Sequence, residues 1–120
     1  MNWLLLLSGI LSILLVTAHS IIGELKIFRS SKNSPQGMYK GILWASWHAL
    51  TLFGYVCGSL LIFMACNTFV IATRYGAFSL YAILATYLIS ALLIFSATKG
   101  KHPAWGVLLI ISVLLTSVVY

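Results

Sequence analysis

Eight charged side chains decide what this chain can fold into. They are Glu24, Lys26, Arg29, Lys32, Lys40, Arg74, Lys99 and Lys101, and they leave four uncharged stretches, 1–23, 41–73, 75–98 and 102–120. A helix needs about 20 apolar residues to cross the hydrocarbon of a bilayer, so each stretch fits one crossing. The second is too short for two crossings with a turn between them. It reads as a helix over 41–66 followed by an interfacial segment over 67–75. The other helices fall at about 2–22, 76–98 and 103–120. Barrel strands would show as short alternating segments, whereas runs such as WLLLL and LISALLIF are continuous and Leu-rich. A helix satisfies its own backbone in lipid. The expected fold is therefore all-α: one membrane domain, 1–120, built as a four-helix transmembrane bundle.

Composition agrees. Hydrophobic residues make up 62% of the chain and charged residues 7%, against about 25% charged in an average soluble domain. This excludes a soluble globule, a disordered tail, a disulfide scaffold and a water-borne nucleic-acid binder. Six of the seven basic residues lie in the first and third connections, which share one side of a four-pass chain. The positive-inside rule makes that side cytoplasmic, places both termini outside, and points to an inner membrane. The net charge of +6 is then a topology signal with some attraction to anionic lipid. Val16-Thr17-Ala18 resembles a signal cleavage site, but Asn2 and Trp3 supply no basic leader, so the first helix is expected to stay as a crossing. The first connection, rich in Ser, Asn, Pro and Gly between Ser30 and Gly37, reads as a turn-rich linker.

Polar residues recur at spacings of three, four and seven: Ser8, Ser12 and His19; His48, Thr51, Tyr55 and Ser59; Ser79, Thr86 and Ser90; Trp105, Ser112 and Thr116. Each set shares a helix face, and lipid offers such a face no partner, so the faces are expected to turn inward. Gly54 and Gly58 form a GxxxG that permits close helix contact, either within the bundle or as a homodimer seam. Cys57 and Cys66 are nine apart on one helix and point in opposite directions, which excludes a disulfide within one chain.

The histidines carry the most specific signal. His19 closes the first helix, His48 lies two turns into the second and His102 opens the fourth, all toward the basic side. Glu24, the only acid of the chain, follows the first helix there. Ionisable residues at membrane depth face an interior or a cavity. Three uses compete with plain structural hydrogen bonding. A transition-metal ion would take His19, His48 and His102 with Glu24. A haem would take two facing histidines. A proton relay would use the imidazoles as carriers. Ser20, Trp44, Trp47, Thr51, Tyr55 and Trp105 are expected to line the site.

Three phrases, AHSIIGE (18–24), ILWASWHALTLFG (42–54) and KHPAW (101–105), resemble a family of small bacterial four-span membrane proteins to which no activity is attached. The resemblance implies key positions at His19, Ser20, Gly23, Glu24, Trp44, Trp47, His48, His102, Pro103 and Trp105. A chain without Asp has no Ser-His-Asp set, one acid excludes paired-carboxylate catalysis, and no phosphate-binding glycine loop is present. The acid of small four-helix exporters lies inside the first helix. Here it lies at the helix end. The leading expectation is an inner-membrane protein binding a metal ion or haem. The alternatives are a dimeric transporter or proton-linked permease using His48 and Glu24, and an assembly subunit of a membrane complex.

Overall fold

The computed structural model describes residues 1–29 and 36–119. They form four helices: α1 Trp3–Gly23, α2 Gly37–Cys66, α3 Arg74–Thr98 and α4 Ala104–Val119. The all-α bundle expected from the charge pattern is the fold. α1, α2 and α3 are long and apolar enough to cross a membrane, and α4 is a shorter apolar helix. At 1.5 Å per residue its 16 residues rise about 24 Å, against roughly 30 Å of hydrocarbon. Of the turn-rich linker, Ser30 to Pro35 lie outside the described residues.

Local chemistry sets the helix ends. The Asn2 side chain accepts the backbone N–H groups of Leu4 and Leu5 at 3.1 and 3.2 Å, and the Asn2 N–H donates to Ala65 O at 2.9 Å, tying the start of α1 to the end of α2. Thr73 caps α3 by accepting from Gly76 N–H at 3.0 Å. α3 stops where Lys99 and Gly100 both take positive φ, 51° and 74°, the left-handed stop typical of helix C-termini. Trp105 then donates its indole N–H to Gly100 O at 3.1 Å and sets its ring edge-on to Phe95, which closes the α3–α4 turn.

α1 is the centre of the bundle. It packs on α2 along one side and on α4 along another, α3 packs on α4, and α2 and α3 meet only slightly. The α1–α2 seam is made by glycines. A Cβ at Gly9 would stand 2.8 Å from Gly58 O, and one at Gly58 would stand 2.8 Å from the Ile13 side chain and 3.1 Å from Gly9 O. Gly54 is filled by Val16. The GxxxG face is thus packed against α1 of the same chain. The core centres on Leu5, Leu61, Leu80, Ile111 and Leu115, with Ser8, Ser12 and Ser112 buried among them. Outside, Leu14, Leu52, Leu92, Leu93 and Val113 are all at least 60% exposed. Apolar cover of that extent suits lipid, not water.

The inward-facing polar stripes hold in part. Ser8, Ser12, Thr51 and Ser112 are buried, and Ser12 meets the Tyr87 hydroxyl across the bundle. Ser59 and Thr116 instead face outward. Thr116 donates to Ser112 O at 2.8 Å. A hydroxyl satisfied by its own helix has no need of an interior partner.

Candidate functional site

The site begins where α1 changes pitch. After Gly23 the chain continues as one π-helical turn, Glu24–Phe28, closed by Arg29 N–H donating to Glu24 O at 3.0 Å. Single π turns in helices recur at functional positions. Here the widened turn carries the first charges beyond the apolar run and stands opposite the first turns of α2.

Trp47 of α2 wedges into this junction. Its indole N–H donates to His19 O at 3.2 Å. Its ring stacks on the His19 imidazole, with centroids 4.0 Å apart and planes 6° from parallel, and meets the Phe28 edge at 5.9 Å. Gly23 is what admits it. A Cβ there would lie 2.8 Å from the indole Cζ2 and nearer still to Nε1 and Cε2.

On one side of this wedge is a carboxylate nest. Glu24 accepts the Trp44 indole N–H at 3.1 Å and the Arg29 guanidinium N–H at 3.2 Å. His48, one step round α2 from Trp47, places Nε2 3.8 Å from Glu24 and shares a 3.3 Å contact between Nδ1 and the Ser20 hydroxyl. Trp44 lies edge-on to the His48 ring at 4.4 Å. At 3.8 Å the His48–Glu24 contact is too long for a hydrogen bond. It becomes an ion pair when the imidazole is protonated.

On the other side is a half-open cavity of ≈ 520 Å³ between α1, α4 and Trp47. Its polar wall is His19, Lys26 and His102, and the remainder is apolar, including Leu15, Ile22 and Val107. His102 is fixed by its role at the start of α4. Its Nδ1 accepts the Ala104 backbone N–H at 3.3 Å, which leaves the ring proton on Nε2. A second void of ≈ 110 Å³ shares Leu15, His19 and Ala104 with the first and runs into the gap between α2 and α3, past Phe53, Thr86 and Tyr87. His19 therefore stands in the wall of both spaces. Its buried Nε2 has no hydrogen-bond partner among the described residues, and the same holds for Nε2 of His48.

The structure brings Ser20, Glu24, Trp44 and His48 together, and it places Trp47 beside His19. It does not assemble the expected metal centre. Among the described residues no three of His, Cys, Asp or Glu stand close enough to hold one ion. The reason is the direction of the side chains. His48 turns to Glu24, His19 lies flat on Trp47, and His102 is occupied with the α4 N-terminus. Thr51 donates to Trp47 O at 3.1 Å, Tyr55 pairs with Thr17 at 2.8 Å deeper in the bundle, and Trp105 belongs to the α3–α4 turn. None of these three lines the cavity. Lys26, Ala18 and Val107 do, and nothing in the polar spacing marks Ala18 or Val107 as site residues. Lys26 had a signal, since it lies seven residues after His19 on the same helical face, but its charge marked topology first.

Comparison with protein-family models, with curated proteins and with solved structures finds no match. The reading of the site rests on its geometry.

Proposed function

We propose that this chain is a bacterial inner-membrane protein of the ligand-binding or permease type, with its binding end on the cytoplasmic side and both termini outside. One observation carries the reading: a ≈ 520 Å³ cavity stands at the histidine end, and its wall residues Leu15, His19 and Ala104 also border a smaller void that reaches Thr86 and Tyr87 of α3. A few polar groups set in a largely apolar concave wall is the usual make-up of a small-molecule site. The basic side chains around it support the cytoplasmic assignment. Binding is favoured over catalysis because the chain's one carboxylate is held by Trp44 and Arg29. It is favoured over a metal centre because only Glu24 and His48 of the four would-be ligands converge, and no third joins them among the described residues. The Glu24–His48 contact supports coupling to protons, since a proton on the imidazole would turn this 3.8 Å contact between α1 and α2 into an ion pair.

Thiol labelling tests this reading. Cys57 and Cys66 are first replaced by Ala and Ser, and single cysteines are placed by Ala18→Cys and Val107→Cys in the cavity wall and by Leu92→Cys on the lipid face. A membrane-impermeant maleimide is expected to modify the two cavity positions in inside-out vesicles, not in intact cells, and to leave Leu92→Cys unreacted in both. Cavity positions that resist labelling from either side would instead support a solid bundle acting as a structural subunit. Labelling in intact cells would reverse the orientation.

A further inference from the structure

We infer that the α1–α4 cavity takes a single-chain anionic amphiphile, a molecule with one acidic head and one hydrocarbon tail. The inference rests on the reading of this cavity as the binding site and names the ligand's chemistry.

The head is set by charge. Lys26 and His102 line the mouth, and no acidic residue lines the cavity. Glu24, the chain's one acid, is hydrogen-bonded by Trp44 and Arg29 and does not line the cavity. His102 contributes a donor whatever its charge, because its Nδ1 is committed to the Ala104 N–H and its Nε2 carries the proton. Two donors, one of them cationic, at one mouth fit a carboxylate or phosphate oxygen pair. Charge-assisted hydrogen bonds of this kind are about twice as strong as neutral ones.

The tail is set by the rest of the wall. Beyond the mouth the cavity is Leu15, Ala18, Ile22, Ile27 and Val107, and the void between α2 and α3 borders it at Leu15, His19 and Ala104. That gap exists because α2 and α3 make so little contact. A linear chain with its head at Lys26 lies against the apolar wall of Leu15, Ala18, Ile22, Ile27 and Val107. The cavity's ≈ 520 Å³ lies within the range of roughly 300–1,000 Å³ for small-molecule sites. That volume favours a single chain over a two-chain phospholipid.

Native mass spectrometry of the purified protein in an uncharged detergent, titrated with oleate, oleyl alcohol, oleylamine or phosphatidylglycerol, provides the test. Oleate is expected to saturate at one per chain, with oleyl alcohol and oleylamine at least about tenfold weaker, the loss of one charge-assisted bond. Lys26→Gln and His102→Asn are each expected to weaken oleate about tenfold. Asn retains the cap on α4, and Lys26 is exposed, so neither change threatens the fold. Ala18→Trp fills the cavity without touching the head group's partners and is expected to abolish binding. Equal affinity for oleate and its alcohol, oleate binding that ignores both substitutions, or displacement of oleate by phosphatidylglycerol with the same substitution pattern would each overturn the inference. If Ala18→Cys and Val107→Cys label as expected while oleate fails to bind, the ligand class is wrong and the site stands. If they do not label, the site itself is wrong.

Discussion

Adding one methyl group at Gly23 tests the junction on which the site is built. In Gly23→Ala the new Cβ falls inside the space of the Trp47 indole, so the ring must leave. Its departure removes the N–H donated to His19 O, worth about 1 kcal/mol, and the parallel stack on His19, worth about 1 kcal/mol more. Overpacking of this kind costs roughly 1–3 kcal/mol. Helix propensity works the other way, because Ala is better than Gly inside a helix by about 1 kcal/mol. The net expectation is a loss of about 1 kcal/mol. The sign should reverse in a Trp47→Ala background. With the ring gone, only the propensity gain remains, and Gly23→Ala should stabilise by up to about 1 kcal/mol. Unfolding by SDS in mixed micelles, followed by circular dichroism, measures both pairs. The same cost in both backgrounds, or a stabilised Gly23→Ala in the wild type, would refute the wedge as the reason for this glycine.

Three further outcomes are expected. Gly58→Leu drives a side chain into Ile13 and the backbone oxygen of Gly9 and should cost about 3 kcal/mol; light scattering should show no change of oligomeric state beforehand, because the seam is internal. A double-mutant cycle with Thr17→Val and Tyr55→Phe, which breaks their 2.8 Å bond, should give a coupling near 0.6 kcal/mol, the average for such bonds in membranes, and a coupling of zero would show that the two hydroxyls do not bond. Trp105→Phe keeps the ring contact with Phe95 but loses the bond to Gly100 O; it should lower stability by about 1 kcal/mol and leave the labelling rate at Ala18→Cys unchanged.

The sequence made the bundle legible because charge is intolerable in hydrocarbon, so its gaps marked the helices. It placed their ends less well. A charge closes an apolar span, but it does not close a helix. α1 runs on through Glu24 as a π turn, and α2 starts at Gly37, ahead of Lys40. A lysine reaching for the interface is compatible with continued helix. The nest of Ser20, Glu24, Trp44 and His48 was legible from shared depth and from the four-residue step between Trp44 and His48. The separation of His19 and His102 from that nest was not. It depends on how far α1 and α2 are rotated about their axes, and that is set by Gly23 admitting Trp47, a contact between residues 24 apart with no periodic signature. Likewise GxxxG announces close approach without saying to what. The partner here is Gly9 on α1, which stands outside any repeat.

The order of packing has a consequence for how the protein is made. Chains enter the membrane from the N-terminus, so the central helix arrives first and one of its two flanking partners arrives last. α1 and α2 can zip along their glycine seam as soon as both are inserted. α3 then finds almost nothing to hold, since its main contact is α4. Until α4 follows, α3 is retained only by its link to α2 and by lipid. Assembly is therefore a hairpin first and a late clasp second, and the shortest, last-made helix is the one that locks the third to the first. Substitutions in α4 that keep it apolar but remove its packing, such as Ile111→Ala or Leu115→Ala, should be read by cellular quality control as an unanchored α3.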